Sequence, residues 1–84
     1  MKYRTKSLAE ATALLADENM VTEFVGLEPS ERQNKFKFVI NVDVDETVFN
    51  QWTLDYINGK VRVNPKQYDA EINMLRDRLS LAKN

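Results

Sequence analysis

The sequence predicts a small α+β domain in the order α-β-β-α-(short β)-α, an antiparallel hairpin packed against helices. Two observations carry this. Three stretches repeat apolar residues every three or four positions and open with helix-capping residues. Between the first two lies an alternating run, Lys35 to Val42, preceded by a segment rich in β-branched and aromatic residues.

The elements follow in order. Ser7 precedes Glu10 at the capping-box spacing, and Leu8, Ala11, Leu14 and Leu15 then line one side of a short helix, Leu8 to Glu18. Asn19 tolerates the positive φ that ends a helix. Val21 to Leu27 favours a strand with imperfect alternation, and Glu28 to Asn34 reads as an exposed hairpin loop. In the next strand Phe36, Phe38, Ile40 and Val42 share the buried face, opposite Lys35, Lys37, Val39 and Asn41 on a largely wet one.

Asp43 and Glu46 repeat the capping-box spacing, and Val44, Val48, Phe49, Trp52 and Tyr56 form the stripe of a second helix. Gly59 stands where a left-handed residue ends helices. Lys60 to Val63 is extended and reads as a third, brief strand or a plain link. Asn64 then caps, Pro65 takes the first helical position and Gln67 completes another box. Tyr68, Ile72, Leu75, Leu79 and Ala82 give the last stripe.

Together "YRTKSLAEATALL", "FKFVI" and "DYINGKVRVNPKQYDAEINMLRDRL" resemble a group of short prokaryotic and phage-associated proteins known only as a domain of unknown function. The most specific part is Tyr56 and Gly59 followed by Val63-Asn64-Pro65. The resemblance implies a compact α+β fold and transfers no activity and no catalytic residue.

The 84 residues make one domain, 1–84. A core this small sits near the stability margin, where dimerisation is a natural supplement. Twelve basic against thirteen acidic residues give a net charge of −1, without the basic excess that holds nucleic acid or anionic membranes. Cysteine and histidine are absent, which removes disulfides, thiolate chemistry, the commonest general base and the commonest zinc ligand. Ser7, Ser30 and Ser80 therefore lack a histidine partner, and Gly26 and Gly59 stand too far apart for a phosphate loop. The reading is of a non-enzymatic protein with no cofactor and no metal. Asp43, Asp45 and Glu46 are oxygen ligands in principle, but helix capping accounts for all three. No apolar run approaches the roughly 20 residues that span a bilayer, so no membrane partner is expected and a cytoplasmic location is the default.

Two kinds of binding surface remain. Leu54, Ile57, Met74 and Leu81 lie off the main stripes, and a surface joining several of them marks a protein partner or a homodimer. Trp52 and Tyr56 are interface anchors in principle and core residues by preference. The alternative is a nucleic-acid patch of Lys35, Lys37, Lys60, Arg62 and Lys66, formed if Lys60 to Val63 pairs beside the alternating strand. Glu23, Glu28 and Glu31 dilute such a patch across the hairpin. Phe36 and Phe38 point away from Lys35 and Lys37, so base stacking and phosphate contacts do not cooperate there.

Overall fold

In the computed structural model, which describes residues 1–32 and 35–83, six elements follow one another. They are β1 (Lys2–Thr5), α1 (Leu8–Ala16), β2 (Thr22–Pro29), β3 (Phe36–Val42), α2 (Glu46–Ile57) and α3 (Pro65–Lys83). The class is α+β as read from the sequence. A three-stranded antiparallel sheet in the order β1-β3-β2 sets one face against helices.

The third strand comes from an unexpected place. Lys2–Thr5 occupies the far edge of β3, in the register Tyr3 opposite Ile40 and Thr5 opposite Phe38. Residues 60–64 stay irregular. The reason is local: Lys60 is tied into the end of α2, and the Arg62 guanidinium donates to the Gly59 and Val61 carbonyls at 2.7 and 3.2 Å. Asn64 is already a cap, so too little chain remains to form a ladder.

β3 is central, and its inner face is the core. Phe38, Ile40 and Val42 are buried with Leu14 of α1 and Leu75 of α3. Each such large side chain contributes about 2 kcal/mol by leaving water. The outer face is less wet than its pattern implies, since Val39 is only 3 % exposed. Its neighbours across the strands are Arg4 and Gly26, and the Arg4 guanidinium reaches over to Glu28 at 2.8 Å. The imperfect alternation of β2 also has its cause here. The register shifts between Phe24 and Gly26, so Val25 is an extra residue in a bulge and Gly26 sits at φ +156°.

Glu28 and Pro29, predicted in the loop, belong to β2; Ser30 N–H closes the turn on Lys35 O at 3.0 Å. Gln33 and Asn34 of the predicted loop lie outside the described residues.

Helix ends show which caps were realised. Ser7 Oγ accepts the Glu10 N–H at 3.1 Å, but the Glu10 carboxylate turns to Tyr3 instead of closing a box. α1 stops at Ala16, before the predicted Glu18, because Asp17 is extended at φ −78°, ψ 113°. The Asp43–Glu46 box does not form: Asp43 N–H extends the sheet by donating to Val21 O at 2.8 Å. Asp45 is the N-cap of α2, with no side-chain bond. At its other end Gly59 N–H donates to Tyr56 O and Lys60 N–H to Asp55 O, a Schellman ending with Gly59 at φ +71° as predicted. Asn64 Oδ1 caps α3 by accepting from Lys66 and Gln67 N–H at 2.9 and 3.4 Å. The Gln67 amide donates onward to Glu71, so this box too is half made. Ala82 is exposed, and the buried stripe of α3 ends at Leu79.

Candidate functional site

The inner side of α2 is a run of aromatic rings. Phe49, Trp52 and Tyr56, spaced three and four apart, fall on one face of the helix. Trp52 stacks on Tyr56 with centroids 5.3 Å apart and lies nearly parallel to Phe49 at 6.4 Å. Tyr3 from β1 meets Phe49 edge-on at 4.8 Å. Two carboxylates from the α1 side hold this column. Tyr3 donates its hydroxyl to Glu10 at 2.7 Å, and Trp52 Nε1–H donates to Asp17 at 2.9 Å in the buried interior. Burial first, then the bond to Glu10 and its charge, push the Tyr3 hydroxyl up to about 12. Burial and then the Glu10 charge also raise Tyr56 above its ordinary value.

Beside the column runs a groove of about 610 Å³. Met20, Val48, Trp52 and Val61 supply apolar walls, Asp17 and Asp55 carboxylates, and Lys60 and Arg62 cations. The size is that of a pocket for a small ligand or a few side chains. Both carboxylates have partners inside the molecule. Asp17 accepts from Trp52 and from the Asn19 N–H, and Asp55 accepts from the Gln51 amide at 3.0 Å. Neither Lys60 nor Arg62 makes an ion pair among the described residues.

The predicted apolar contacts separate. Leu54 and Ile57 are 55 % and 72 % exposed and stand on the side of α2 away from its aromatic column. Met74 does not join them, because it is half-buried and packs against the core. Leu81 is exposed, yet it sits about 24 Å along α3 from the end that joins α2. Val48, assigned to the inner stripe, is exposed and lines the groove instead.

The five basic residues are not brought together either. Lys35 and Lys37 stand at the start of β3. Lys60 and Arg62 line the groove next to Asp17–Met20, which leads into β2 where Thr22 pairs with Val42, at the other end of the sheet. About 20 Å of strand lies between. Lys66 opens α3. Lys37 also faces Glu28 across the ladder, and the Arg4 bond above all holds the Glu28 carboxyl below its ordinary value. Asp43, Asp45 and Glu46 are exposed, and among the described residues no three acidic side chains gather as metal ligands. No described helix is long and apolar enough to cross a membrane.

Sequence reasoning missed the groove. Its walls come from the α1–β2 link, α2 and the irregular link 60–62, so no single periodicity marks it. The one signal was the paired cations Lys60 and Arg62 flanking an apolar residue, beside a lone tryptophan one helix back. The chain matches no protein-family model, no curated protein and no solved structure.

Proposed function

We propose that this chain is a non-enzymatic protein-interaction module that binds through the outer side of α2. The observation that carries the reading is the pair Leu54 and Ile57, two large apolar side chains three residues apart on one helix face and more than half exposed. A helix that buries aromatics on one side and shows aliphatics on the other has a second surface to cover. A nucleic-acid role has less support, since the basic residues divide between the two ends of the sheet and Glu28 stands across the ladder from Lys37.

The test is solution mass by light scattering across a range of protein concentration, for wild type and for Leu54→Glu with Ile57→Glu. A wild-type mass above the 9.8 kDa of one chain, restored to one chain in the variant, supports self-association through α2. A one-chain mass in both directs the test to crosslinked partners, which the variant should lose. Identical partners for wild type and variant defeat the reading.

A further inference from the structure

We infer that the groove beside α2 is a recognition site for a partner segment that carries a carboxylate next to a large apolar side chain. It rests on the reading above only in taking the partner to be a protein. The chemistry comes from what the groove has already satisfied and what it has not. Asp17 and Asp55 are engaged internally, by Trp52, Asn19 and Gln51. Lys60 and Arg62 are unpaired cations among the described residues, at the rim of an apolar hollow made by Met20, Val48, Trp52 and Val61. A carboxylate meeting them makes charge-assisted hydrogen bonds, and an apolar neighbour displaces water from the hollow.

A wrong partner is also defined. A basic segment sets like charges against Lys60 and Arg62 at the rim, which no described carboxylate pairs. Arg62 is preorganised for its role: one guanidinium nitrogen is fastened to the Gly59 and Val61 carbonyls, which fixes the plane of the fork. Gln51 and Asp55 line the groove and lie on α2 within a turn of Leu54, so the hollow adjoins the exposed aliphatic surface. A protein segment spans both more naturally than a small molecule that fills the hollow alone.

Trp52 is the only tryptophan and lines the groove, so its fluorescence reports occupancy directly. The probe is an acetylated and amidated hexapeptide of alternating leucine and glutamate, with the leucine–lysine hexapeptide as its control. The acidic peptide should give a saturable change in emission that weakens with added salt. Lys60→Glu with Arg62→Gln should lower its affinity about tenfold. Because Arg62 also braces the link, Lys60→Glu alone serves as the second variant; its side chain makes no hydrogen bond among the described residues, and it should weaken binding severalfold. Unchanged emission with the acidic peptide, an equal response to the basic one, or wild-type affinity in Lys60→Glu each overturns the site. Leu54→Glu with Ile57→Glu should keep the Trp52 response. Loss of the groove with Leu54-dependent association intact, or the reverse, therefore shows which of the two surfaces fails.

Discussion

Tyr3 shows how much one side chain decides in a chain this short. It lies ahead of the first predicted helix, outside every predicted element, yet it is half-buried, meets Phe49 edge-on and donates to Glu10. Its hydroxyl ionises near 10 when unfolded and only at about 12 in the fold. The native state thus holds the proton more tightly. The contribution is complete below pH 10 and is lost as pH rises from 10 through about 12. Urea midpoints from pH 8 to 12 should fall above pH 10, and fall less in Tyr3→Phe. At pH 8 that variant should already be about 1 kcal/mol less stable, having lost a hydrogen bond to a carboxylate. Parallel pH curves for the two proteins would falsify this account of Tyr3. Nothing in a tetrapeptide of Lys, Tyr, Arg and Thr announces such a role. It exists because β3 has an edge to fill and Glu10 has a hydroxyl within reach.

At the scale of elements, the helices were legible and their starts only partly so. The stripes of α1 and α3 place Leu14 and Leu75 in the core as predicted, since burial of a periodic face is a property of the helix alone. Caps are different, because the same side chain or backbone has competing partners outside the helix. Asp43 is taken by the sheet and Glu10 by Tyr3, while Asn64 has no rival and caps fully. This gives a contrast to measure. Asn64→Ala should cost about 1 kcal/mol, whereas Asp45→Ala, which removes no cap bond, should cost a few tenths. Chemical denaturation of both variants checks it, and equal losses would show that charge at the start of α2 matters as much as a made bond. Ser7→Ala is the natural reference for a cap that forms.

For the whole molecule, the class was readable while the assembly was not. Which strand closes the sheet depends on partners far apart in sequence, and the groove depends on three segments converging. Local pattern carries no record of either. The packing is also uneven. α1 buries Ala11, Thr12, Ala13, Leu14 and Ala16, whereas α2 buries only Phe49 and Trp52. The free energy of local opening follows buried contact, so α2 is the weaker-held layer. Native-state hydrogen exchange should find amides in the middle of α2 less protected than those of α1 and β3. Equal protection, at the level of global unfolding, would place α2 within a single cooperative unit.

The Tyr3–Phe49 contact ties these scales together. Tyr3 belongs at once to the edge strand and to the aromatic column beneath α2, so two remote events share one latch. Pairing β1 with β3 closes a long loop, which is the slow kind of contact to make. Only when that closure is complete does the column beneath α2 gain its last ring. Phe49 is also the ring beside Trp52, so fraying of β1 loosens the neighbour of the side chain that walls the groove.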